Sequence, residues 1–178
     1  PWPESVLNEL KFVQSYDRLY VFHKDYQTRV ITRTGDTAWT IANLSFTDGP
    51  FLPTNATAIT LTPSAATGAI TVTASSSLFV AGDVGRQIRM KVGASNWGYA
   101  TITAFTSATV VSATVVNTLT TTGATTSWNL SYFGGTLGWP SVGTIYEQRF
   151  IMANTASYPA TLFASETGAF SDSVSMPP

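Results

Sequence analysis

The stretch Gly138-Trp139-Pro140-Ser141-Val142-Gly143-Thr144-Ile145-Tyr146-Glu147-Gln148-Arg149-Phe150-Ile151-Met152-Ala153, answered by Pro159-Ala160-Thr161-Leu162-Phe163-Ala164-Ser165, decides how the rest of the chain is read. It has the form of a turn, a long strand, a short polar loop and a second strand. Gly138 tolerates positive φ and Pro140 fixes its own, so the two punctuate the entry. In one extended strand, side chains alternate between faces. Tyr146, Phe150 and Met152 would share one face, and Glu147 and Arg149 the other. Asn154 to Ser157 is a polar cluster suited to chain reversal, and Pro159 suits the opening of an edge strand. Because this hairpin comes last, the preceding residues must either pair with it or form an excursion from it.

The chain has 178 residues, enough for one domain or a small pair with a substantial core. Its formal net charge is -1 and only 11% of residues are charged, so no strong field attracts nucleic acid or an anionic membrane. Cysteine is absent, which excludes disulfides, thiolate metal sites and cysteine nucleophiles. The long uncharged runs are rich in Thr, Ser and Gly, so none qualifies as a membrane-spanning helix. The Pro-Trp-Pro opening and Met-Pro-Pro end read as an excerpt from a longer protein.

Charge distribution says more than its total. Residues 49 to 82 and 92 to 146 carry no charge at all. Helices normally dress their exposed face with charged residues, whereas strands can use Thr and Ser on a half-exposed pleated surface. The expectation is an all-β chain. Residues 1 to 48 hold most of the surface charge. Ser5 to Gln14 reads as a short strand or one helical turn. Arg18 to His23, Thr28 to Arg33 and Ala38 to Ile41 read as three strands of an antiparallel meander, with a turn at Gly35-Asp36. Asp48-Gly49-Pro50-Phe51-Leu52-Pro53 marks a boundary. Beyond it, Ala58 to Thr62, Ala69 to Ala74, Arg86 to Val92, Tyr99 to Phe105, Ala108 to Val116 and Thr125 to Leu130 are short strands spaced by turns, the pattern of a small closed barrel. The expected architecture is an antiparallel β platform, propeller-like or sandwich-like, made of residues 1–48 and 131–178, with a small β-barrel inserted at residues 49–130.

Candidate chemistry is sparse. His23 is the only histidine, with Asp17 and Asp25 nearby in sequence but no nucleophile elbow anywhere, so it reads as a structural or surface residue. Glu147 and Arg149, two apart on one strand, read as a same-face ion pair, because acid/base chemistry would need a second carboxylate close by. Arg86, Arg89 and Lys91 form the only basic cluster. It reads as a solvated strand protecting a barrel edge, with a phosphate-binding patch as the rival. Trp39, Trp128 and Trp139 each end or enter a strand and read as covers for a core, and exposure of Trp97 and Trp128 would separate core from sugar stacking. The sequons at Asn43, Asn55 and Asn129 carry little weight. No catalytic, cofactor-binding or metal site is expected, and no cofactor.

Four stretches together resemble the tail tubular protein B, or nozzle, family of short-tailed bacteriophages. They are Phe12-Val13-Gln14-Ser15-Tyr16-Asp17-Arg18-Leu19-Tyr20, Phe46-Thr47-Asp48-Gly49-Pro50-Phe51, Asp83-Val84-Gly85-Arg86-Gln87-Ile88-Arg89, and Gly138 to Ser165. The order matches the family pattern, which often has Gly where this chain has Asn154. The resemblance implies a structural virion protein located in the tail. It would be a subunit of a ring, usually hexameric, extending the DNA ejection conduit below the adaptor ring. The implied partners are further copies of itself, adaptor and other tail proteins, and DNA passing through without specific binding. It implies no enzyme. The alternative is a carbohydrate- or host-surface-binding β module whose barrel tryptophans hold sugar, and a glycan-degrading enzyme is a distant third.

Overall fold

The computed structural model describes residues 2–91, 97–119, 122–168 and 173–175. The chain is all-β. It divides into two compact units: residues up to Asp48 together with those from Leu137 onward, and residues Gly49–Thr136. The expected junction at residue 131 falls too early. Ser131 bridges Phe51, and the Tyr132 amide bonds the Pro50 carbonyl, so this segment belongs to the barrel side.

In the first unit a short 3-10 helix, Glu4–Glu9, leads into β1 (Lys11–Ser15), β2 (Arg18–His23), β3 (Tyr26–Gly35) and β4 (Ala38–Asn43). They form an antiparallel sheet in chain order, one strand more than the meander expected. Each reversal is tight, and Tyr16 takes a left-handed φ of 50° between β1 and β2. β5 (Ser45–Asp48) then leaves this sheet.

The second unit comprises β6 (Leu61–Pro63), β7 (Ala69–Ala74), β8 (Gln87–Lys91), β9 (Trp97–Ser107), β10 (Val110–Asn117) and β11 (Trp128–Leu130), in the spatial order β11-β8-β9-β10-β7-β6. The alternation in β7 shows which face turns inward: Ile70, Val72 and Ala74 are buried while Thr71 and Thr73 face out. The inward set packs with Leu61, Ile88, Met90, Ile102 and Trp128 into one core. The ends of this half-barrel meet where Leu61 and Thr125 exchange two backbone hydrogen bonds of 2.9 Å. Leu52 and Asn55 amides bond the Leu130 and Trp128 carbonyls, covering the far edge of β11.

The chain returns through β12 (Val142–Tyr146), β13 (Arg149–Ala153) and β14 (Leu162–Ala164), an antiparallel sheet in that order, and ends with β15 (Ser173–Ser175) parallel to β5. The single long strand expected through Tyr146 to Met152 is instead a hairpin. Glu147 and Gln148 have φ of 47° and 59°, the left-handed pair of a type I′ turn, and Tyr146 faces Arg149 across it. The two sheets of this unit share a core in which the Phe150 ring lies 4.7 Å from Tyr20 and 5.7 Å from Phe22, a sandwich-like arrangement. Gly143 permits this. A Cβ there would stand 2.5 Å from Phe22 Cζ.

Candidate functional site

The basic cluster is the first place to look for chemistry, and its members separate. A 3-10 turn at Ala81–Asp83 buries the Asp83 carboxylate, which is 2% exposed. Asp83 Oδ2 accepts from the Val80 amide at 2.9 Å, and Oδ1 accepts from Arg86 Nη1 at 3.0 Å. Arg86, 6% exposed, also donates from Nε to the Ser131 carbonyl at 2.8 Å. Gly85, at φ 89°, makes the corner that brings the two charges together. At Gly135 a Cβ would fall on the Asp83 carboxylate, so the backbone there closes over the pair. Arg86 therefore ties two distant segments of the barrel.

Arg89 is half-buried. Its guanidinium lies 4.4 Å from the Trp97 ring centroid, 5.5 Å from Phe51 and 5.7 Å from Tyr99, with Phe51 and Tyr99 stacked 5.7 Å apart. Three aromatic faces surround the cation and hold it by cation–π attraction. The strand carrying it, β8, runs between β11 and β9. The reading of a solvated edge strand is thus corrected: β8 is interior, and two of the cluster's three basic residues, Arg86 and Arg89, are engaged.

His23 lines a cleft of about 350 Å³ in the first unit, with Asn8, Glu9, Lys11, Lys24, Ser141, Val142 and Asn154. The imidazole is buried. Its Nδ1 accepts from the Asp25 amide at 3.1 Å, which in the neutral ring leaves the proton on Nε2. Nε2 lies 3.4 Å from Glu9 Oε2, outside hydrogen-bond alignment. Ser141 Oγ accepts from Asn154 Nδ2 at 2.6 Å. The acceptor nitrogen is occupied by backbone, so the ring is set to orient the β2–β3 turn rather than to take a proton from a substrate. Among the described residues, no group of three or more His, Asp or Glu could hold a metal ion.

The Glu147–Arg149 pair is also corrected. The type I′ turn takes Glu147 off the strand, and Arg149 donates to the Ser165 carbonyl at 3.0 Å, joining β13 to the residue after β14. The tryptophans divide. Trp128 is buried and its indole N–H bonds the Ile59 carbonyl at 2.9 Å, while Trp139 is buried and its amide bonds the Lys24 carbonyl. Trp97 is half-buried against Arg89. Trp39 departs from expectation, being 60% exposed on β4. Opposite it across the ladder stands Arg33, held by Asp17 and Asp36.

Two asparagines carry roles that the sequon pattern hid. Asn55 Nδ2 donates to the Thr57, Ile59 and Thr126 carbonyls, and its Oδ1 receives the Thr57 amide. Asn129, buried, donates to the Leu52 carbonyl at 2.8 Å. The Asn-x-Thr spacing at Asn55 is itself an Asx-turn signal. Asn129 had no local signal, since its partner lies 77 residues away. No family model matches the chain, and no curated protein matches it.

Proposed function

We propose that the chain is a structural virion protein, one subunit of a phage tail tube or nozzle ring that forms part of the DNA ejection conduit. The observation that carries this reading is where the four stretches behind the resemblance lie. Phe12 to Tyr20 is the β1–β2 hairpin, and Phe46 to Phe51 is the passage from β5 into the barrel. Asp83 to Arg89 is the ion-paired corner, and Gly138 to Ser165 is the returning sheet. All four belong to strands, turns and an ion-paired corner that hold the fold together, as a structural part requires. The chain is not an enzyme on this reading. Its partners are further copies of itself, with six the number implied by the resemblance, the adaptor and other tail proteins, and DNA in transit. The test is electron microscopy of the purified chain and of virions probed with an antibody to it. Rings with a central channel, and label at the tail, support the reading. Label on the capsid alone, or none on the particle, would overturn it.

A second reading, a carbohydrate- or host-surface-binding module, moves from the barrel to the first unit. Trp97 and Trp128 are covered, but exposed Trp39 beside the Asp17–Arg33–Asp36 group offers a ring face and polar neighbours suited to a sugar. Glycan-array binding abolished by Trp39→Ala would favour it.

A further inference from the structure

Among the described residues, two strand edges of the first unit stand open. β4 has β3 on one side only, and all six of its residues are exposed. The Leu44 amide bonds the Thr28 carbonyl at 2.8 Å. The alternation of an antiparallel ladder then turns the backbone groups of Thr40 and Ala42 toward β3, and those of Trp39, Ile41 and Asn43 outward. β14 has β13 on one side only. The Ser165 amide bonds the Phe150 carbonyl at 2.9 Å, so Leu162 and Ala164 direct their backbone groups away from β13. The other two edges of these sheets, β1 and β12, lie alongside each other.

Native proteins usually blunt an open edge with Lys or Pro. Neither strand does so: Ala-Trp-Thr-Ile-Ala-Asn and Leu-Phe-Ala contain no charge and no proline. Both add exposed apolar side chains, Trp39 and Ile41 on β4 and Leu162, 73% exposed, on β14. Outward backbone donors and acceptors in a row fit one kind of partner, another extended strand. Electrostatics allow these two edges to be that partner for each other, since no like charges would face across the new ladder. Every copy carries both halves of such a contact, and the halves differ. That is the condition for head-to-tail assembly, which closes into a ring or runs on as a filament according to the rotation between copies.

We propose that copies of this chain join by strand addition, β4 of one copy pairing with β14 of the next. The inference deepens the ring-subunit reading by naming its interface, and rests on that reading only for closure into a ring. The shorter edge sets the length of the ladder, with Leu162 and Ala164 against Ile41 and a neighbour.

The test uses the full chain in sedimentation velocity over a concentration series, with electron microscopy of the same samples. Wild type assembles. Ile41→Lys and Leu162→Lys, both at exposed positions, each weaken association by at least about tenfold. An equimolar mixture of the two forms a dimer and stops, because each variant keeps the edge that the other has lost. Trp39→Lys and Ala164→Pro repeat the pair in case a first variant loses its far-UV spectrum. At Ala164 the amide already points away from β13, so proline costs no native ladder bond. A wild type that stays monomeric throughout overturns the inference. So does loss of assembly in Ile41→Lys with none in Leu162→Lys, which would mean β4 pairs with itself. Rings that form equally in all variants leave the ring reading standing and remove this interface. Open filaments sensitive to both substitutions uphold the interface and remove the ring.

Discussion

Asp83 and Arg86 carry more of the barrel's integrity than any other charged residues described. Each is desolvated, and each is satisfied by the other and by backbone: Val80 for the carboxylate, Ser131 for the guanidinium. Such a pair adds little over apolar residues of the same volume, but removing one member strands the other as a buried charge. Asp83→Ala or Arg86→Ala should therefore lower the unfolding free energy by about 3–5 kcal/mol, read from urea midpoints. The double change Asp83→Leu with Arg86→Met should cost less than the sum of the single changes, because the two positions are coupled. Additive costs would show that the pair acts as two separate anchors. Arg89 differs in kind. Its charge rests on ring faces, so Arg89→Met keeps much of the packing and should be tolerated far better than Arg86→Met.

At the scale of elements, the β12–β13 hairpin holds two non-glycine residues at left-handed φ. Backbone strain of that kind costs of order 1 kcal/mol or more per residue. Replacing Glu147-Gln148 with Asn-Gly, the pair that type I′ turns favour, should raise the melting temperature by about 2–4 °C. A lowered melting temperature would mean that the Glu147 or Gln148 side chain makes a contact worth more than the strain. On the same hairpin, Gly143 of β12 faces Phe22 at a distance that no Cβ accepts. Gly143→Ala should push Phe22 off Phe150 and destabilise the first unit by about 1–3 kcal/mol, measured by denaturant titration. An unchanged midpoint would show that the Phe22 ring can swing clear freely.

For the whole molecule, the barrel's core is drawn from residues 52 to 130 alone, and the ends of that segment are laced together by the Leu52–Leu130 and Asn55–Trp128 hydrogen bonds. Residues 49–136 expressed by themselves should unfold cooperatively, with the tryptophan fluorescence of a buried Trp128. A non-cooperative melt would show that the barrel depends on the rest of the chain. Charge bears on the conduit reading. A wall past which DNA slides should not collect phosphates, since each contact adds affinity. Of nine basic residues, Arg86 is sealed and Arg89 is ringed by aromatics, while long surfaces carry only hydroxyls and amides. The chain should bind duplex DNA with a Kd of roughly 10⁻⁴ M or weaker at physiological salt. Tight, salt-sensitive binding lost on neutralising Arg89 and Lys91 would remove the conduit-wall function.

The all-β class was legible without the structure, because alternation such as Ile70, Val72 and Ala74 against Thr71 and Thr73 is a local property and dictates which face turns inward. The excursion starting at Gly49 was legible too, since composition changes there. The turn at Glu147-Gln148 was not. Neither residue favours left-handed φ; the pairing of Tyr146 with Arg149 and the burial of Phe150 impose it. Arg86 read as exposed because its closing partner, Ser131, lies 45 residues away. Trp39 read as buried because a large ring at a strand end normally finds cover, and whether another sheet arrives to cover it is a long-range outcome. Local preferences extend over a few residues and set strand, turn and facing; which face is covered, which charge is sealed and which edge stays open depend on pairings made across the chain.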